Sequence, residues 1–296
     1  MDISFSTGVG GDGWDLEECA SWARANDFDA IRLDVKGILD ADCDELLATL
    51  ERHGIYLAAL SAYSNLLDDN PAARDAAAAS LIAAIEIAGN LGAPVVVTHA
   101  GSPVGHHFYG MYSSPPGNPG DRSLELVERF REMYGPVVEA AARCDVRIAL
   151  DGAVRMGNIA CNPEMWERIL DAVPSPSLGL SCDPSHWVWM GMMPAEDLIR
   201  MFPGKWYYAD IKDCEVSPHM RLRQGIIGNW WWQYRVPGRG ELNWGTIIGA
   251  LVESGYDYVL CIENEDRGAP GLEGFAIGCR HLRPLLADPE GERRTS

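Results

Sequence analysis

The chain has 296 residues, 47% of them hydrophobic and 23% charged, with a formal net charge of -19 at pH 7. That length suits one α/β barrel, and that composition marks a water-soluble globular chain. No Lys/Arg cluster offsets the acidity, so no nucleic-acid partner is expected, and a neutral small molecule suits the long-range field better than a multiply charged phosphate.

No apolar run reaches the roughly 20 residues that span a bilayer. The segment Met1-Asp2-Ile3-Ser4 has neither the basic stretch nor the apolar stretch of a secretory signal. The expectation is a cytoplasmic protein with no membrane partner. The eight cysteines (Cys19, Cys43, Cys144, Cys161, Cys182, Cys214, Cys261 and Cys279) form no Cys-x-x-Cys pair, and they read as buried free thiols of a reducing compartment.

In chain order, short apolar runs alternate with helical patterns. A strand expected at Ile3–Thr7 is followed by a helix at Leu16–Asn26, and Ala30–Val35 by Asp44–Arg52. Tyr56–Ala62 then precedes Pro71–Asn90, Pro94–His99 precedes Leu124–Arg143, and Val146–Leu150 precedes Pro163–Ala172. The last three pairs are Leu178–Cys182 with Ala195–Met201, Trp206–Ile211 with Trp244–Glu253, and Tyr258–Glu263 with Gly271–Leu286. Pro71 and Pro163 fall in first helical turns, where a missing N–H costs nothing, and Gly54, Gly92 and Gly255 follow helix ends, where a left-handed residue is wanted. Eight unbroken β-α repeats predict a parallel sheet closed into a single (β/α)8 barrel over residues 1–288, with a flexible tail at 289–296. An open doubly wound sheet is the alternative. Two connections are long, 101–122 and 214–243, and both follow strands, so both belong on the face where barrels do chemistry.

The polar residues at strand ends are the candidates for that chemistry. Strand five ends in Asp151, strand six in Asp183, and strand seven carries Asp210 followed by Lys212 and Asp213. Strand eight ends in Glu263 and runs into Asn264-Glu265-Asp266. Four carboxylates on one rim repel one another unless a cation joins them, and all-oxygen ligands suit Mn²⁺ or Mg²⁺. The plainer reading of each acid is a helix cap. His186, three residues after Asp183, and His99, at the end of strand four, are either packed rings or groups that orient substrate and move protons. His106 and His107, in the first long loop, could be a lid contact. Lys212 either pairs with a carboxylate or polarises a substrate oxygen. The Trp230-Trp231-Trp232 run with Arg235 could stack on the apolar face of a sugar, or simply pack.

These residues also form recognisable motifs. Leu178-Gly179-Leu180-Ser181-Cys182-Asp183-Pro184-Ser185-His186 resembles the strand-six signature of the xylose isomerase-like barrel superfamily. Tyr208-Ala209-Asp210-Ile211-Lys212-Asp213 resembles its strand-seven motif. Arg235-Val236-Pro237-Gly238-Arg239-Gly240-Glu241-Leu242-Asn243-Trp244 resembles its approach to the seventh helix, and Leu260-Cys261-Ile262-Glu263-Asn264-Glu265-Asp266 its strand-eight motif. That superfamily includes sugar and sugar-phosphate isomerases, ketose 3-epimerases, inosose dehydratases and endonuclease IV-type enzymes.

The resemblance implies a divalent metal held by strands five to eight, where the superfamily places a Glu, an Asp, a His and a Glu. Asp183 and Glu263 match the second and fourth positions, and His186 matches a companion His near substrate. Asp151 stands where Glu is usual, and Asp210 where His is usual. The implied ligand set is therefore Asp151, Asp183, Asp210 and Glu263 around Mn²⁺ or Mg²⁺.

The implied activity is a sugar isomerase or epimerase working through an enediolate. Asp151 and Glu263 would transfer protons, with His186 and Lys212 beside them, and His99, Arg235, Trp231 and Glu265 would contact the substrate. A second expectation comes from the Trp-containing insertion before Arg235. It is similar to members of the C-glycoside deglycosidase type, which eliminate an aglycone from 3-oxo-glycosides and work with a small partner subunit. A third is a barrel that has lost its metal and binds a polyol. A sugar or glycoside is the expected partner molecule, and a homo-oligomer or a small partner subunit are both open.

Overall fold

Strands form here because short β-rich runs, bounded by Gly, Pro and acids, are too short for helices and too apolar for loops. The protein is described from a computed structural model, which covers residues 1–7, 15–39, 41–103, 122–152, 158–226 and 228–286. Most of the connection at 101–122, with His106 and His107, and the tail at 289–296 lie outside the described residues. In chain order the elements are β1 (Asp2–Ser6), α1 (Leu16–Ala25), β2 (Ala30–Asp34), a 3-10 turn (Val35–Gly37), α2 (Cys43–Arg52), β3 (Tyr56–Ser61), α3 (Pro71–Asn90), β4 (Val95–His99), α4 (Ser123–Arg143) and β5 (Arg147–Asp151). There follow α5 (Pro163–Ala172), β6 (Leu178–Cys182), α6 (Pro184–Met190), α7 (Ala195–Met201), β7 (Trp206–Ile211), β8 (Asp213–Val216), α8 (Pro218–Gln224), β9 (Trp232–Arg235), α9 (Trp244–Glu253), β10 (Val259–Ile262) and α10 (Leu272–Leu286).

Eight strands close in the order β1-β10-β7-β6-β5-β4-β3-β2, all parallel, which rules out the open sheet. Helix starts are set by side-chain caps. Asp15, Asp42, Asn70 and Asn162 accept from the first free N–H groups of α1, α2, α3 and α5, with Pro71 and Pro163 at the first position as expected. Gly54 and Gly92 take positive φ at the ends of α2 and α3.

Alternate residues on each strand face opposite ways. One set, including Ile3, Phe5, Ile31, Val96, Ile148, Leu178, Leu180, Leu260 and Ile262, packs in the layer between strands and helices. The other set faces the barrel interior. Its lower part is small or aromatic: Ala30, Val97, Ala149, Tyr208, Val259 and Cys261. One pleat further along the same strands come Arg32, His99, Asp151, Asp210 and Glu263, all buried. The pleat therefore carries a polar layer on top of an apolar plug.

The connection at 214–243 is more ordered than a plain loop. It holds an antiparallel hairpin, β8 with β9, and the short α8 between them. Cys214, Trp231 and Trp232 form a small separate core there. The buried Asp213 carboxylate secures the return of the chain, accepting from Cys214 N, Gly238 N, Gly240 N, Leu242 N and the Trp244 indole N–H. The helix α6, directly after β6, is also additional to the sequence expectation. Asp183 caps it and Pro184 opens it. No described helix is long and apolar enough to cross a membrane. All eight cysteines are free thiols, with Cys43 exposed and five buried.

Candidate active site

Asp151 is the last residue of β5, and it pairs in register with His99 at the end of β4. Its Oδ2 lies 3.6 Å from His99 Nε2 and accepts from the Tyr63 hydroxyl at 3.4 Å. The His99 ring lies 4.4 Å from the Tyr63 ring. Asp183 does two jobs. Its Oδ1 caps α6 through Ser185 N at 3.1 Å and accepts from Ser185 Oγ at 2.6 Å, while its Oδ2 faces His186 Nε2 at 3.2 Å and Lys212 Nζ at 3.4 Å. The cap thus occupies Oδ1 and leaves Oδ2 facing the His186 ring and the Lys212 ammonium.

Lys212 follows β7 and is buried. It donates to Glu263 Oε2 at 2.6 Å and to Glu265 Oε1 at 2.9 Å, and its Nζ sits 4.6 Å from the Tyr234 ring centre. His186 lies beside the hairpin, with ring centres 6.4 Å from Trp232 and 6.0 Å from Tyr234.

A sixth strand contributes a residue that the sequence reading did not place. Arg32, on β2, is 1% exposed, and its two terminal nitrogens donate to Asp210 Oδ1 and Glu263 Oε1. Its Nε faces Ser6 Oγ at 3.3 Å, and Ser181 Oγ donates to Asp210 Oδ2 at 2.7 Å. The signal was present in Ala30-Ile31-Arg32-Leu33-Asp34: an Arg in mid-run of a buried strand needs a buried anion. Tyr63, one residue past the expected strand end, carried no comparable signal.

The expected four-carboxylate ligand set therefore divides. One ligand atom each from Asp151, Asp183 and His186 lie within 4.8 Å of one another, the group of this kind found among the described residues. Asp210 and Glu263 both meet the Arg32 guanidinium, which supplies a fixed positive charge between them. Two carboxylates and an imidazole form a donor set that divalent ions of the first transition row accept, so the residues present fit a metal.

The substrate-contact candidates also separate. Trp231 is buried, donates its indole N–H to Ile226 O at 2.9 Å and lies against Trp189, so these contacts are with α6 and the hairpin. Arg235 pairs with Glu215 at 2.9 Å and Asp266 at 3.3 Å and lines an outer cleft, while Glu265 belongs both to that cleft and to Lys212.

The charges follow from these contacts. Burial works against ionisation of Asp183, but His186 and Lys212 outweigh it and hold its carboxyl well below the usual range. Burial is likewise outweighed at Asp151 by His99 and at Glu263 by Lys212 and Arg32, so both are held low. Asp210 goes the other way. Burial first, then the neighbouring Glu263, Asp151 and Asp183 charges, push it up to about 7 despite Arg32. Asp183 raises His186, and Lys212 and Arg32 both stay charged.

Several solved proteins share this architecture. The L-ribulose 3-epimerase structure superposes with a TM-score of 0.73 at 18% identity, covering 96% of this chain and 93% of that one. The apo structure of 3-keto-D-glucoside 4-epimerase, YcjR, from E. coli gives 0.73 at 13% identity, covering 96% and 98%. The IOLI protein with a bound zinc atom gives 0.69 at 17% identity, covering 96% of each. At such identities the likeness speaks for the fold. A Bacillus subtilis (strain 168) sequence called "Uncharacterized protein YfiH" is 26% identical over 264 residues, 82% of each chain. The model of the xylose isomerase-like TIM barrel family matches residues 20–285. With the closed parallel barrel and the strand-end motifs in their expected places, the chain belongs to the xylose isomerase-like TIM barrel family.

Proposed function

We propose that the chain is a sugar isomerase or epimerase that moves a proton on a carbon next to a carbonyl. The observation that carries this reading is the buried Glu263–Lys212 pair, 2.6 Å apart, beside the Asp151–Asp183–His186 cluster. Glu263 is held ionised by Lys212 and Arg32, so it is in the form that accepts a proton. It would take the proton from the carbon, and the C–H electron pair would shift into an enediolate whose negative oxygen Lys212 can meet with an N–H. Glu263 can hand the same proton to the adjacent carbon of the enediolate, which completes an isomerisation. Inversion of the carbon needs a proton on the opposite face, where Asp151, on the far side of β6 and β7, could deliver one only after taking it from solvent. A low carboxylate pKa makes a weak base, so this chemistry depends on stabilising the oxygen as its charge develops. A divalent cation, Mn²⁺ or Mg²⁺ by the sequence expectation, would be held by Asp151, Asp183 and His186 and would supply polarisation of the carbonyl. The family and the sugar epimerases among its solved relatives support a keto-sugar as substrate class.

A second reading, elimination of an aglycone from a 3-oxo-glycoside, is favoured by the outer cleft. That cleft has a volume of ≈ 370 Å³, is lined by Trp230, Trp232, Tyr234, Arg235 and Arg267, and meets Lys212 through Glu265. It offers a leaving group aromatic faces and polar edges. One experiment tests both readings. Ketoses and 3-oxo-glycosides are incubated with metal-supplemented enzyme in D₂O and followed by NMR. Deuterium is expected at the carbon next to the carbonyl, and Glu263→Gln should slow its uptake by about a hundred- to ten-thousand-fold. Aglycone release alongside exchange would select the second reading. Absence of exchange with every substrate of both classes would overturn the proposal.

A further inference from the structure

Four buried carboxylates reach one rim, yet they do not converge on one point. Both oxygens of Asp210 are engaged, Oδ1 by Arg32 and Oδ2 by Ser181, and so are both oxygens of Glu263, Oε1 by Arg32 and Oε2 by Lys212. Asp151 Oδ2 and Asp183 Oδ2 are each within reach of a histidine, and Asp183 Oδ2 also lies 3.4 Å from Lys212 Nζ, while neither acid pairs with Arg32. We infer that Arg32 is a built-in cation that claims Asp210 and Glu263, so that a bound dication is held on the protein side by Asp151, Asp183 and His186 and not by the strand-seven and strand-eight acids. The inference rests on the metal centre of the proposed function and divides its residues into two sets.

Geometry supports the division. Arg32 is a fixed charge that already meets Asp210 and Glu263, while Asp151, Asp183 and His186 each bring one ligand atom within 4.8 Å of the others. A dication seated between Asp210 and Glu263 would instead displace the guanidinium. Arg32 has nowhere to take it: the residue is 1% exposed, its Nε is held by Ser6 Oγ, and its guanidinium lies 5.5 Å from the centre of the Tyr208 ring. An unpaired buried charge is among the most costly features a fold can carry. The arrangement also has a use. A carboxylate that ligates a metal shares its lone pairs with the ion, whereas Glu263 held by N–H donors can release one of them and take a proton.

Crystals of the full chain soaked in millimolar Mn²⁺ and measured at the manganese absorption edge test this directly. The expected result is one anomalous peak at ligand distance, about 2.0–2.3 Å, from Asp151, Asp183 and His186, with Arg32 still on Asp210 and Glu263. A peak ligated by Asp210 or Glu263, or crystals that take up no Mn²⁺, would overturn it. In solution, Co²⁺ absorption reads the ligand set independently of affinity. Asp210→Asn should leave the band positions of the wild type unchanged, and His186→Gln should shift them. A shift with Asp210→Asn as large as that with His186→Gln counts against the inference. No substrate enters either measurement. A correctly seated metal with no deuterium exchange would sink the sugar reading and leave this one standing.

Discussion

Asp213 is the residue whose replacement should cost the fold most for the smallest chemical change. Its carboxylate is fully buried and accepts five N–H groups: Cys214 N at 2.8 Å and Leu242 N at 3.1 Å on Oδ1, with Gly238 N at 3.2 Å, Gly240 N at 3.3 Å and Trp244 Nε1 at 3.0 Å on Oδ2. Asp213→Asn keeps the shape but leaves one acceptor oxygen, so two or three donors then face an NH₂ group. Each buried donor left unsatisfied costs about 1–3 kcal/mol, which puts the loss at about 2–9 kcal/mol against a total stability of about 5–15 kcal/mol. Gly240→Ala attacks the same contact from the other side, because an added Cβ would collide with Asp213 Oδ1 and the Cys214 carbonyl oxygen. The two losses should therefore be strongly non-additive in the double variant. Urea unfolding followed by circular dichroism and tryptophan fluorescence measures all three. An Asp213→Asn variant within about 0.5 kcal/mol of wild type, below the cost of one orphaned donor, would refute the reasoning.

Two further outcomes follow from the same structure. Trp231→Phe should keep the ring packing against Trp189, lose the bond to Ile226 O and cost about 1 kcal/mol, with KM unchanged. A changed KM at unchanged stability would put Trp231 back against the substrate. At low pH, the Asp69 carboxyl is held at about 2, chiefly by hydrogen bonds from Arg122, against an ordinary value of 3.8. A lowered carboxyl contributes stability above its unfolded value that disappears as pH falls toward the folded one, so the window is roughly pH 4 to 2. The side chain is 49% exposed, so the contribution is a surface pair's, below about 1 kcal/mol. Thermal melts across that window should show a slope that Asp69→Asn removes, and identical slopes would exclude the pair as a contributor.

The barrel was legible in the sequence because its signals are local. A strand's apolar run, the Pro and Gly that flank a helix, and an Asn or Asp at a cap act within a few residues, and Pro71, Pro163, Gly54 and Gly92 all sit where that chemistry put them. The hairpin of β8 and β9 was harder, since its pairing joins Asp213 to Arg235 across α8, and the Trp run inside it gives no sign of which ring turns inward. Trp231 was read as a substrate contact for that reason, while Trp232 and Tyr234 flank His186.

The amino-acid sequence alone determined that eight strands would alternate with helices and that four successive strands would bring acids to one rim, because strand period and chain order decide both. Which acid meets which cation was decided only by closure of the barrel. Arg32 lies 178 residues from Asp210 and 231 from Glu263, and no local preference reaches across such distances. The parallel register carries β1 between β2 and β10, and with it the β2 guanidinium across to the acids of β7 and the end of β10. A charge buried there must find a partner or pay the cost of desolvation, and the partners in reach were two of the carboxylates that the sequence, read strand by strand, had assigned to a metal.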